Sequence, residues 1–280
     1  LDVVVKLAEI EVIFYIEALG NDKKVLERAL EETAKSLKNE KGVKIKYINV
    51  EDVLENEDEE LLKYSGVIEA GISGDLENVI RLALKYSPAI VEVLKPGKIE
   101  IESKRLMKIL GEVSLFMGKL MKEFGGLAVY PKLDDLPEPR IGYSRDEIED
   151  FIVEDRNILY RFVIEVFGEN EEGIKTTMAK ALTIEGCRIN KLAVQGQEED
   201  DQFKGLLAAE LLSPFETLVQ LTAKYAPVAI SILEPEIIDV TANELQNTLT
   251  DLGSFVNELV TRPIKRRIME KKNTEFKLNP

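Results

Sequence analysis

The chain has 280 residues, 45% of them hydrophobic, so it can build two domains with real cores and is not a disordered chain. Its formal charge of −15, from 52 acidic against 37 basic side chains, opposes general binding to phosphate backbones unless the positive charge is segregated. One Cys excludes an internal disulfide and fits a reducing cytoplasm, and the absence of His removes the commonest general base and metal ligand. The charged fraction, rich in Glu and Lys, resembles that of a heat-adapted protein. The apolar stretch 1–19 is broken by Lys6, Glu9, Glu11 and Glu17, so it reads as neither a signal segment nor a membrane span.

In chain order, the β-branched and aromatic run 12–19, ending at Gly20, predicts a strand. Val25, Leu26, Ala29, Leu30, Ala34 and Leu37 recur at helical spacing over 23–38. Alternation over 43–50 predicts a second strand and 66–72 a third. A helix over 76–86 must stop before Pro88, because the residue preceding proline avoids the α region. The run 89–94 is a fourth strand, Pro96-Gly97 turns the chain, and Ser103 is expected to cap a long helix over 104–124. The Gly- and Pro-containing stretch 125–144 reads as a linker, followed by a short helix over 145–155. The order then returns, with strands over 160–167, 188–196, 204–211 and 228–233. Helices are expected over 172–184, 215–225 and, capped by Thr241, 242–260.

This return is a repeat. Lys85-Tyr86-Ser87-Pro88 parallels Lys224-Tyr225-Ala226-Pro227, and Pro88 and Pro227, like Pro96 and Pro235, lie 139 residues apart. Ile16–Gly20 parallels Ile164–Gly168, with slips confined to loops. A β-α-β-β-α-β order gives a four-stranded antiparallel sheet with both helices on one face. The expected fold is therefore α+β, a tandem duplication of a ferredoxin-like βαββαβ sandwich, each copy followed by a long C-terminal helix. The expected boundaries are 1–124 for the first copy with its helix, 125–144 for the linker, 145–263 for the second copy with its helix, and 264–280 for a basic tail. The second face of each sheet needs a cover, from the extra helix or from a neighbouring sheet.

The second copy opens Phe162-Val163-Ile164-Glu165-Val166-Phe167-Gly168-Glu169-Asn170-Glu171-Glu172-Gly173-Ile174, then a helix, then Glu185-Gly186-Cys187-Arg188-Ile189. A strand, a polar turn with Gly at the mouth of the first helix, and a Gly-small-x-Ile entry to the second strand resemble an ACT domain. The whole chain resembles a tandem ACT-like protein of an uncharacterised archaeal-type family. The resemblance implies a regulatory module of ferredoxin-like topology that pairs sheets side by side and holds an amino acid near that turn. The first copy departs from the pattern, since Val25 stands where Gly173 stands in the second, and the second-copy turn lacks the Pro often found before the Gly. A related ferredoxin-like family of regulatory or RNA-associated proteins fits the same residues. The turn also has its own physics: a helix N-terminus offers unpaired N–H groups to a carboxylate or other anion. Gly168 and Gly173 permit close backbone approach, and Asn170 offers an amide. With Glu169 and Ile174 these are the candidate ligand residues; the competing role for Asn170 and Gly173 is simply to make the turn and cap the helix.

Other candidates are weaker. Acidic loops at Glu55, Glu57, Asp58, Glu59, Glu60 and at Glu198, Glu199, Asp200, Asp201 match no calcium-loop pattern and read as solvated hairpins. Cys187 lacks a base and reads as a buried structural thiol. No phosphate-binding glycine motif is present, so no cofactor is expected. The two Tyr-x-Pro turns read as packing. In the helix over 104–124, the broad apolar stripe that includes Leu106, Val113, Met117 and Leu120 can cover its own sheet or form an interface. Arg262, Lys265, Arg266, Arg267, Lys271 and Lys272 give the C-terminal segment the opposite charge to the body. Together these features predict a non-enzymatic cytoplasmic regulatory protein, a homodimer that senses an amino acid or small anion without membrane association. The alternative is a protein or ribonucleoprotein interaction factor acting through the basic tail.

Overall fold

The structure is a computed structural model that describes residues 9–56, 62–127, 133, 136–199 and 202–275, the last of these as backbone alone beyond 263. Its elements run β1 (Ile10–Gly20), α1 (Lys23–Lys38), β2 (Val43–Val50), β3 (Leu54–Glu55), β4 (Tyr64–Gly74), α2 (Leu76–Tyr86), β5 (Ile90–Lys95), β6 (Lys98–Glu102) and α3 (Ser103–Phe124). They continue with α4 (Arg145–Val153), β7 (Ile158–Gly168), α5 (Glu171–Ile184), β8 (Arg188–Glu199), β9 (Gln202–Ser213), α6 (Phe215–Tyr225), β10 (Ala229–Glu234), β11 (Ile237–Thr241) and α7 (Ala242–Glu275).

Two antiparallel sheets result, ordered β2-β4-β1-β5 and β10-β7-β9-β8. Both place the first strand of their segment in the centre, beside the third and the fourth, which is the order of the split βαβ arrangement. The alternation that predicted the strands sets the register. Val12, Phe14 and Ile16 point into the first core, and Tyr160, Phe162, Ile164 and Val166 into the second. A short strand, β3, adds to β4, and β6 pairs with β11 in a separate two-stranded sheet. Neither β6 nor β11 was expected, although Ile99 and Ile101, and Ile238 and Val240, alternate buried with exposed neighbours.

The chain divides into two compact units that differ from the expected boundaries. One comprises residues 1–99 with 241–280, the other 100–240. The helix that follows the first sheet in sequence, α3, thus belongs to the second unit, where it packs on α6 and β10; α7 packs on α2 and β5 of the first. The apolar stripe of α3 is consumed there. Leu106, Val113 and Met117 are fully buried and Leu120 is half-buried, so these residues are core rather than a free interface.

Both helices serve an edge strand. The outward N–H groups of Val91 and Val93 in β5 donate to Thr250 Oγ1 and Gln246 Oε1 of α7, each at 3.1 Å. In the other unit the Ser114 hydroxyl of α3 donates to the Pro227 carbonyl at 2.7 Å. At the matching place in the first unit stands Gly253, where a Cβ would lie 2.3 Å from the Pro88 carbonyl oxygen. Two helix ends also differ from expectation. Glu102, not Ser103, occupies the N-cap of α3, without a side-chain bond. Helix α7 does not stop at Val260 but passes through Pro263 to Glu275, so most of the expected tail is helical. Proline deprives the Leu259 carbonyl of its helical donor, a local loss that does not end the helix. Thr241 does cap α7, its Oγ1 accepting from Glu244 N–H while Glu244 accepts from Thr241 N–H at 2.7 Å.

Two glycine substitutions separate close packing from helix propensity. Gly253→Ala should destabilise by about 1–3 kcal/mol, because helix and loop backbone must part. Gly111→Ala, in α3 with nothing within 4 Å of the added Cβ, should stabilise by up to about 1 kcal/mol. Urea unfolding midpoints of the two variants check both signs.

Candidate ligand pocket

The turn between β7 and α5 is built by its cap. Asn170 adopts an extended conformation and its Oδ1 accepts from Gly173 N–H at 2.7 Å, while its carbonyl accepts from Ile174 N–H at 3.2 Å. The capping role expected for Asn170 is therefore real. Gly168 makes room for the next turn, since a Cβ there would lie 2.7 Å from Ile174 Cγ1. A pocket of about 390 Å³ opens beside this turn. All five sequence-predicted ligand residues, Gly168, Glu169, Asn170, Gly173 and Ile174, line it. The sequence did not point to the rest of the wall, which is Ile164–Phe167 of β7, Thr177 and Met178 of α5, and Tyr225 at the end of α6. Tyr225 leans edge-on against Phe162, ring centroids 6.1 Å apart. The repeated Tyr-x-Pro turn was the available signal for Tyr225, weighed between a partner contact and packing of the turn, with packing favoured.

At the corresponding positions the first unit holds Leu30 and Tyr86 more deeply buried. Asp22 takes the place of Asn170 and accepts from Val25 N–H at 3.0 Å, with Val25 largely exposed. Leu30, where the second unit has the half-buried Met178, is only 2% exposed and reaches toward Gly66. Tyr86, the counterpart of Tyr225, is buried and tied by its hydroxyl to Ser36 Oγ at 3.0 Å and to Glu40 at 2.8 Å. Glu40 also pairs with Arg81 at 2.9 Å and Lys85 at 2.5 Å. Burial works to raise the Glu40 pKa, but hydrogen bonds from Lys85, Arg81 and Tyr86 outweigh it and hold the carboxyl at about 2. In the second unit Lys224 pairs with Glu185 at 2.6 Å at this level.

The remaining candidates resolve plainly. Cys187 is buried, and desolvation pushes its thiol up to about 12, which leaves no thiolate for nucleophilic chemistry near neutral pH. Glu57, Asp58, Glu59, Glu60, Asp200 and Asp201 lie outside the described residues, and among the described residues no group of three or more metal-ligating side chains converges. Arg262 is paired with Glu258 one turn back at 2.8 Å, whereas the side chains of Lys265, Arg266, Arg267, Lys271 and Lys272 lie outside the description. Among the described residues no helix is long and apolar enough to cross a membrane.

The Glu40 cluster sets a pH dependence. Its folded-state pKa is below the ordinary value of 4.5, so its stabilisation is complete above about pH 5 and is lost as pH falls from there towards 2. The stability gap between the native chain and Glu40→Gln should thus be largest near neutrality and close near pH 2. Urea unfolding of the pair at stepped pH measures the gap, and a constant difference would count against this network.

Comparison with known proteins adds a family. The family model of the MJ0538 family matches residues 11–266, and the chain belongs to that family. It is 32% identical over 259 residues, 90% of this chain and 97% of the relative, to the uncharacterized protein MJ0538 of Methanocaldococcus jannaschii. Among solved structures, one of a protein assigned as a glycine cleavage system transcriptional repressor aligns over 83% of this chain and 98% of its own, at 9% identity. The TM-score of that alignment is 0.19, too low to carry an argument about fold or function.

Proposed function

We propose that this member of the MJ0538 family is a non-enzymatic, cytoplasmic regulatory protein made by duplication of one ACT-like, ferredoxin-like unit. In this reading the second unit binds a small ligand and the first serves as scaffold. The observation that carries it is the pocket beside the β7–α5 turn, where all five candidate residues meet. Its volume falls within the roughly 300–1,000 Å³ of small-molecule sites, and its walls combine apolar side chains with a few polar groups. The deeper burial of Leu30 and Tyr86 at the corresponding positions of the first unit supports a division of labour. The non-enzymatic part rests on the absence of His and on the neutral, buried Cys187. Homodimer formation is part of the proposal. The exposed Phe167 and Leu206, adjacent on the outer face of the second sheet, offer it apolar area.

Ligand binding to the folded state alone raises the melting temperature, by several degrees when ligand exceeds Kd about a hundredfold. A thermal-shift screen of amino acids, amines and small anions should find such a ligand for the native chain. Met178→Trp, which fills the cavity, and Gly173→Val, which pushes on the Asn170 cap, should abolish the shift. If no compound shifts the native chain, or if both variants respond as it does, the pocket is not a ligand site.

A second reading has its own observation. Helix α7 carries its backbone helically past Arg262 through Lys272, so the basic residues share one helix, a form suited to a protein or ribonucleoprotein surface. Deleting 264–280 should then release partners that co-purify with the full chain at low salt. Unchanged partners after the deletion would dismiss this role.

A further inference from the structure

We propose that the groove between α3 and β10 of the second unit binds a small organic carboxylate, one oxygen of which accepts from the Ile230 N–H while Lys119 and Lys122 supply the opposing charge. This groove is distinct from the cavity beside the β7–α5 turn, and its ligand is independent of what that cavity holds.

The two units finish the same strand edge differently. The repeat spacing of 139 residues sets Met107 in the place of Gln246, Gly111 of Thr250, Ile230 of Val91 and Ile232 of Val93. In the first unit both outward N–H groups of β5 reach side-chain oxygens, on Gln246 and Thr250. In the second, the Ile232 N–H reaches the Met107 Sδ at 3.2 Å, a weak acceptor. Alternate residues of a strand turn their N–H groups to the same side, so the Ile230 N–H points toward α3 as well. Gly111 has no side chain to meet it, and among the described residues no other acceptor does. A Cβ added at Gly111 would have nothing within 4 Å, so the room that Thr250 uses in the first unit stands open here.

That room belongs to a cavity of about 640 Å³, lined by Gly111, Leu115, Lys119 and Lys122 on the helix side and by Glu165 and residues 226–230 on the sheet side. Steps of three and four residues place those helix positions along one side of α3. Neither lysine has an ion-pair partner among the described residues, and Glu165 is the only carboxylate among the lining residues, so the wall carries net positive charge. In a chain of net charge −15 this is segregated positive charge, which draws an anion to the groove. Water can meet the Ile230 N–H, but a carboxylate oxygen makes a charge-assisted bond there and also gains from the two ammonium groups. An entering amine would face the same donor and the same cations and gain from neither. Leu115 and Val228, 70% and 56% exposed, leave apolar area along the groove that an organic body covers and an inorganic anion does not.

The test uses 4-methylpentanoate, the matching alcohol and amine, and inorganic phosphate. Binding to the full chain is read from the amide NMR signal of Ile230 in isoleucine-labelled protein, identified by its loss in Ile230→Val. The carboxylate should shift that signal, slow its hydrogen exchange and bind about tenfold tighter than the alcohol, with the amine and phosphate weaker still. In the double variant Lys119→Gln, Lys122→Gln the carboxylate should fall to the level of the alcohol. Added salt should narrow its advantage in the native chain. Gly111→Thr restores the arrangement of the first unit: it should protect the Ile230 amide without any ligand and remove the response to the carboxylate. The proposal is overturned if the carboxylate leaves the Ile230 amide unmoved, if the alcohol, amine or phosphate binds as well, or if Gly111→Thr responds as the native chain does. None of these outcomes bears on the cavity beside the β7–α5 turn, whose reporter is Met178.

Discussion

The fold depends on how two of its outer strands are finished. Strands β5 and β10 end their sheets with a row of N–H and C=O groups that neither sheet can satisfy, and an uncovered edge invites pairing with another chain. A helix closes each edge, and in both cases it comes from the other half of the sequence. Gln246 and Thr250, one helical turn apart, meet Val93 and Val91, two residues apart on the strand. The two spacings agree because a helical turn rises about 5.4 Å and two strand residues about 6.6 Å, close enough for flexible side chains to bridge. Burial of Leu245, Leu249, Leu252 and Val256 on one side of the helix then fixes its rotation. Because each edge is closed by the other half, the two halves of the sequence cannot be cut apart as independent domains.

The same strand order supports two different interiors. In the first unit Leu30 and the tethered Tyr86 are buried, and Glu40 gathers two cations and a hydroxyl around itself. In the second, Met178 and Tyr225 stand back and the space remains open. A buried carboxylate held by several donors is a rigid arrangement that loses much if one partner is removed. An unfilled apolar volume forfeits contacts that a bound molecule can restore.

Local periodicity made most of the fold legible. Helices α1, α2 and α6 and strand β2 were bounded correctly because their apolar spacing is regular, and a following Pro ends α2 and α6. Strands β6 and β11 escaped because five residues carry too little alternation to stand out beside a turn. The destination of α3 and α7 escaped for a deeper reason. An amphipathic stripe states that a helix must be buried but not against which sheet, and the two sheets present similar edges. The helix through Pro263 runs against a steric preference that disfavours, but does not forbid, the α conformation before proline. At the pocket, Gly168, Asn170 and Gly173 announced themselves through turn chemistry. Thr177, Met178 and Tyr225 did not, because their shared cavity exists only after α5 and α6 come together on the sheet.

The charges at the helix mouth require separating stability from recognition. Glu171 and Glu172 sit in the first turn of α5, where they complement the helix dipole and need no ligand to explain them. The first unit shows that this complement is dispensable, since α1 opens with Lys23 and Lys24 and has no acidic residue in its first turn. The sign at the mouth is therefore not dictated by helix formation. Glu165 of β7 stands apart from that question: with Phe167 it is on the exposed face of the strand, and it lines a second cavity beside Lys119 and Lys122 of α3.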